Sequence, residues 1–401
     1  MKYLALLLAA SSTACAIPSL AQSPHAVTQA RAAVATTTTI PFVLSGNQIF
    51  VRGTIDGKTF AFVFDTGGAA SLTRAAQTAL ELPVVAQAQI NGIGNAPVAM
   101  DIVQPKTTSL GAATVNGAYF MVLPDLGQVS PFPGVPLGGV LGREFFYGLP
   151  VTIDYSKNTL TFNNPASFHP APGSVAIPLA MREGMFPNVQ ATVEGASGSF
   201  DIDAGSGSSL LLSPTFASDN GIVSKMPKTA EVVVGRGVGG AITGTAGRVA
   251  SLSLGGITIA EPIAYVTHAT GGAMASPGLA GNIGAEILRR FTVTIDVPNK
   301  TLYLVKNAAF GTPFLFSRSG LSLGRVGGET VVTNVIAGSP AQSAGVHDGD
   351  VLTAMGGKPV SNLSIDEVRA FSTQASGTVV RIDVRRDGKP YAFTLTLRDL
   401  L

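Results

Sequence analysis

The chain has 401 residues, 46% hydrophobic and 12% charged, and a net charge of +2. That length allows two or three domains with full cores, and the apolar content excludes a disordered chain; near-balanced charge without a dense Lys/Arg run argues against a nucleic-acid partner. The 47 glycines, set among short Val/Ile/Thr/Leu runs, read as an all-β chain of short strands and tight turns.

Lys2 gives the chain a positive start, residues 4–10 form an apolar run, and Ser19-Leu20-Ala21 offers a small-residue cleavage site before Gln22. Such a run is too short for a membrane span, which needs about 20 apolar residues. Residues 1–21 therefore read as a signal peptide and place the product in the periplasm or outside the cell. A lipoprotein anchored through Cys15 is the less fitting alternative, because Ser12-Thr13-Ala14 lacks the usual Leu. Cys15 is the only cysteine, so cleavage after Ala21 leaves neither disulfide nor thiol chemistry. No later segment reads as a membrane helix, and 22–38 reads as a flexible lead-in.

From there the chain repeats itself. Phe62-Val63-Phe64-Asp65-Thr66-Gly67 matches Phe200-Asp201-Ile202-Asp203-Ala204-Gly205, 138 residues on. Ser109-Leu110-Gly111 matches Ser253-Leu254-Gly255 after 144 residues, and Val140-Leu141-Gly142-Arg143-Glu144 matches Asn282-Ile283-Gly284-Ala285-Glu286 after 142. A closing strand follows in each copy, beginning Val151-Thr152-Ile153-Asp154 and Val293-Thr294-Ile295-Asp296. Four landmarks in one order at nearly one offset predict two copies of a β domain, over 39–168 and 169–309.

An apolar strand leading into Asp-Thr-Gly, then a glycine-rich segment, then apolar-apolar-Gly with a short helix, resembles the retropepsin-like and pepsin-like aspartyl proteases. The resemblance covers both copies. It implies two tandem β-barrel lobes related by a pseudo-dyad, with Asp65 and Asp203 as the catalytic pair. The active-site loops would be Thr66 and Gly67 in the first lobe and Ala204, Gly205 and Ser206 in the second. Two close carboxylates that share a proton can deprotonate a water and protonate a scissile carbonyl together. One loop per repeat implies a monomer that needs no second copy.

In this family a Thr or Ser hydroxyl from each loop cross-links the two beneath the dyad, so Ala204 leaves only Thr66 to contribute. Asp201, which aligns with Val63, reads as structural or solvated. The resemblance also implies a glycine-rich flap per lobe: Gly92, Ile93 and Gly94 in one, Gly237, Val238 and Gly239 in the other. Residues 235–240 also fit G-x-G-x-x-G, but Ala241-Ile242-Thr243-Gly244 opens no helix, which a dinucleotide site requires.

Past a joint near Pro313, read as an exposed linker, the pattern changes. Gly338-Ser339-Pro340-Ala341, then Gly345 to Leu352, Gly356-Gly357-Lys358-Pro359-Val360 and a helical stretch over 365–371 resemble bacterial PDZ domains, over 313–401. The resemblance implies a small α+β domain that binds a peptide as an added strand, with its end held at Gly320, Leu321, Ser322 and Leu323. Residues 320–324 also fit G-x-S-x-G, but no helix follows to make a nucleophile elbow. His25, His169, His268 and His347 lack ligand spacing, so no metal and no cofactor is expected. The expected function is an exported aspartic endopeptidase acting on peptides or unfolded proteins. The alternative is a pseudo-peptidase that holds peptides or envelope proteins without cutting them.

Overall fold

The computed structural model describes residues 30–90, 98–123, 130–237, 240–326 and 328–401. The signal-peptide reading over 1–21, and with it Cys15, lies outside them.

Each repeat folds around the strand that carries its aspartate. In the first lobe, Lys58–Asp65 pairs antiparallel with Gln48–Ile55 and parallel with Leu137–Gly142, with Asp65 opposite Gly142. In the second, Ala196–Asp203 pairs antiparallel with Phe186–Val193 and parallel with Leu279–Gly284, with Asp203 opposite Gly284. Among the described residues each lobe's sheet has ten strands in the same spatial order. The apolar-apolar-Gly landmark is therefore a strand laid beside the aspartate strand. Its glycine is required by contact: a Cβ on Gly142 would lie 1.6 Å from the Asp65 carbonyl oxygen.

A six-stranded sheet, counted among the described residues, joins the lobes. At its centre Val151–Asp154 runs antiparallel to Phe291–Asp296, with Thr152 opposite Thr294 and their hydroxyls 2.9 Å apart. The pseudo-dyad passes between these strands, and one apolar core fills both lobes around Phe62, Phe145, Phe200 and Phe291.

The C-terminal unit is a separate six-stranded sheet, again among the described residues, with its own core around Val332, Met355, Ile382 and Leu395. Leu321–Val326 is an edge strand, and Ile365–Ser372 is a helix closed by a Ser364/Glu367 capping box. Ser322 lies in that strand, so no nucleophile elbow forms.

The joint to this unit is exposed at Gly311, Thr312 and Pro313, as expected, but it is clamped to the second lobe rather than free. Arg290, 1% exposed, lies 3.6 Å over the Phe314 ring and donates to the carbonyl oxygens of Ala309 (3.2 Å) and Thr312. Phe310 packs edge-on against Phe291, and Arg248 donates to the Phe314 carbonyl at 2.9 Å. A guanidinium offers five donors, and burial obliges it to use them on nearby carbonyls. The cation that clamps the joint lies 23 residues upstream of Pro313, with no sequence signal to reveal it. Ile336, Phe316, Leu400 and Leu401 also pack against Val232 and Ala246 on the second lobe.

Candidate active site

Asp65 and Asp203 end their strands at the pseudo-dyad, close enough for the charge of Asp203 to raise Asp65. Each faces the other lobe's glycine. A Cβ on Gly67 would lie 2.7 Å from Asp203 Cγ, and one on Gly205 2.1 Å from Asp65 Cγ. Only glycine lets the loops approach this closely.

The two carboxyls are held differently. Asp65 Oδ1 accepts from the Gly67 amide at 2.7 Å. Asp203 Oδ1 accepts from the amides of Gly205 (3.1 Å) and Ser206 (2.9 Å), and its Oδ2 accepts from Asn282 Nδ2 at 2.8 Å. Burial and the charge of Asp203 push Asp65 up to about 8. Burial and the charge of Asp201 also raise Asp203, opposed by the Ser206 amide and Asn282. Donors aimed at a carboxylate favour its charged form, so Asp203 carries the negative charge more readily and Asp65 the shared proton.

Beneath the dyad, Thr66 Oγ1 donates to the Ile202 carbonyl at 2.7 Å and accepts from the Ala204 amide at 2.8 Å. The cross-link therefore runs one way, because fully buried Ala204 has no hydroxyl to return it. Ser206 does not supply the missing hydroxyl: its Oγ pairs with Ser208 Oγ at 2.8 Å. Asp201 is structural rather than solvated. It is 4% exposed, paired with Arg182 at 2.6 Å and hydrogen-bonded by Asn188 at 2.9 Å.

Sequence reasoning missed several residues around the second loop. Gln48 Nε2 donates to the Gly205 carbonyl at 2.8 Å, and Asn47 Nδ2 to Gly207 O at 3.0 Å and Glu286 Oε2 at 2.7 Å. Nothing in the sequence announces contacts across 157 to 239 positions. Asn282 did carry a signal, as the polar counterpart of Val140 in the repeat.

The first flap's Gly92, Ile93 and Gly94 lie outside the described residues, between the paired strands Ala86–Ile90 and Val98–Val103. In the second, Gly237 pairs with Gly240, while Val238 and Gly239 lie outside the described residues. These strands form a hairpin, not the strand-to-helix turn a dinucleotide site requires. In the C-terminal unit Gly320 is left-handed (φ +79°), and the amides of Gly320 and Leu321 bond to the hydroxyls of Ser317 and Ser319, each at 3.2 Å. A peptide carboxylate held there would replace those serines. Leu321 is buried, and Ser322 and Leu323 follow it along the edge strand.

Residues 51–145 and 189–287 match the aspartyl protease family model, and 331–386 match that of the PDZ domain. A stretch of 67 residues is 37% identical to the periplasmic pH-dependent serine endoprotease DegQ of Escherichia coli (strain K12), covering 16% of this chain and 14% of that protein. The crystal structure of the aspartic proteinase from Irpex lacteus aligns at a TM-score of 0.43 and 15% identity, over 69% of this chain and 99% of that one.

Proposed function

We propose that this chain, which belongs to the aspartyl protease family and carries two protease lobes and a PDZ domain, is an aspartic endopeptidase whose catalytic pair is Asp65 and Asp203. The observation that carries the reading is the meeting of two carboxyls from equivalent strands of the repeat, each against the other lobe's glycine.

In this mechanism the Asp203 carboxylate takes a proton from water as the water oxygen bonds to the scissile carbonyl carbon. Asp65 gives its proton to the carbonyl oxygen, so charge never accumulates on that oxygen. Collapse of the tetrahedral intermediate breaks the C–N bond, and a dyad proton passes to the departing amine. Thr66 and Gly67, with Ala204, Gly205 and Ser206, hold the two carboxyls. The enzyme acts as a monomer on peptides or unfolded proteins, and its PDZ domain takes up peptide at 320–323. Export to the periplasm is the proposed location, supported by the charge and apolar pattern of 1–21; among the described residues no helix is long and apolar enough to cross a membrane.

One observation favours a weaker catalyst that mainly binds: the one-way cross-link at Ala204. Incubation with a denatured protein mixture from pH 3 to 8, with and without a pepstatin-type inhibitor, decides between them. Inhibitor-sensitive fragments are expected. Peptide binding without fragments at any pH would leave the binding module.

A further inference from the structure

The PDZ domain reaches the loop of Asp203 through a turn of the first lobe. Gly46 and Asn47 form that turn with φ of +59° and +65°. On one side the Gly46 amide donates to both carboxylate oxygens of Asp366, at 3.1 and 3.2 Å, on the helix Ile365–Ser372. A Cβ on Gly46 would lie 3.5 Å from Ile365 Cγ2 and 3.5 Å from Arg369 Nη1. On the other side the turn grips the loop of Asp203, through Gln48 on the Gly205 carbonyl and Asn47 on that of Gly207. The contact is close: a Cβ on Gly207 would lie 2.7 Å from Gly46 O.

A second path meets the first at Glu286. Its amide donates to the Ser208 carbonyl at 3.1 Å, its Oε2 accepts from Asn47, and its Oε1 accepts from Arg290 at 3.4 Å. Arg290 is the cation that clamps the joint to the PDZ domain. In the first lobe the counterpart, Glu144, has no such link, and its Oε2 is buried without a partner among the described residues.

Ile365, Arg369 and Ser372 share one helix stripe, spaced i, i+4 and i+7. Ser372 Oγ accepts from Ser319 Oγ at 3.0 Å, just before the edge strand, so this stripe faces the strip between strand and helix where an added peptide strand would run. A peptide lying along that strip meets Ile365 and Arg369, the side chains that seat the turn.

We propose that the PDZ domain positions the Asp203 loop through the 46–48 turn, with Asp366 as a positioning residue, and that peptide filling the groove loosens this seat and slows turnover. The proposal rests on the dyad reading for its effect on turnover, but not for its effect on the loop. Two states of the turn, seated and released, suffice to link the sites.

The test uses the full chain and Asp366→Ala, which removes the exposed contact to Gly46 and one of two acidic groups in the helix's first turn, the capping box of Ser364 and Glu367 staying in place. Two quantities are measured: kcat and KM on a short peptide blocked at both ends, and hydrogen exchange of the amides over 203–208. Both proteins are also titrated with an unblocked peptide and its C-terminally amidated form. The expected result is a kcat lower by about fivefold in Asp366→Ala with KM nearly unchanged, and faster exchange over 203–208. Groove peptide should reproduce both effects in the native chain and add nothing in the variant. If the native chain cleaves and neither kcat nor exchange responds, the coupling is wrong and the dyad reading stands. If exchange responds in a chain that cleaves nothing, the coupling stands and the dyad reading falls. If exchange is unmoved in a chain that cleaves nothing, both fall.

Discussion

The two lobes share one backbone but differ beneath their aspartates. Under Asp65 the neighbouring positions are Val63 on its own strand and Val140 on the adjacent one. Under Asp203 the same positions are Asp201 and Asn282. The first aspartate therefore sits over an apolar floor, and the second over a network of Arg182, Asp201, Asn188 and Asn282. An apolar floor favours a neutral carboxyl, whereas Asn282 and the Ser206 amide favour a carboxylate at Asp203, against burial and the charge of Asp201. A duplicated fold has thus reached two unlike sites through side chains alone, and the difference biases which carboxyl holds the shared proton.

The harshest way to break the comparison is to remove one ionisable group. Asp65→Asn and Asp203→Asn should each lower kcat/KM by about a thousandfold or more, measured on a quenched peptide, because neither lobe can supply both acid and base. Equal, modest losses would mean that the lobes do not share the chemistry.

A milder change makes the second lobe resemble the first. Asn282→Val removes the donor to Asp203 Oδ2, so the Asp203 pKa rises further and the acid limb of kcat/KM moves to higher pH. The expected cost in kcat is about tenfold. The buried Asn282 Oδ1, without a partner among the described residues, disappears with it, so thermal stability should hold.

Stability against pH sharpens the picture of Asp65. Its carboxyl titrates at the ordinary 3.8 when unfolded and at about 8 when folded. Below pH 3.8 both states hold the proton; between 3.8 and 8 only the folded state keeps it, so stability falls as pH rises through that window. Asp65→Asn removes this slope, and thermal melts should show the variant gaining on the native chain from pH 4 toward pH 8. The smallest effect expected is that of Ala204→Thr. A hydroxyl there would return the one-way cross-link and add about 1 kcal/mol in a denaturant titration. A loss of both folding and activity would show that this lobe is built around the smaller side chain.

The sequence made the aspartates, their glycines and the Asn282-Ile283-Gly284 partner strand legible, because each reflects a local backbone demand that recurs at a fixed offset. The same repeat marked Asp201 and Asn282 as departures from Val63 and Val140, though not what they touch. Asn47, Gln48, Glu286 and Arg290 stayed hidden. Their roles exist only when remote segments meet, and polar residues in turns and short helices look alike in every sequence. The clamp on the exposed joint stayed hidden for the same reason.

The most direct test of the divided dyad is kcat/KM against pH on a blocked peptide, for the native chain beside Asp65→Asn and Asp203→Asn. The account predicts activity that persists to neutral pH and falls as pH rises through about 8, where Asp65 gives up its proton, with both variants near background throughout. Native-like cleavage by either variant, or native activity undiminished well above pH 8, would contradict it.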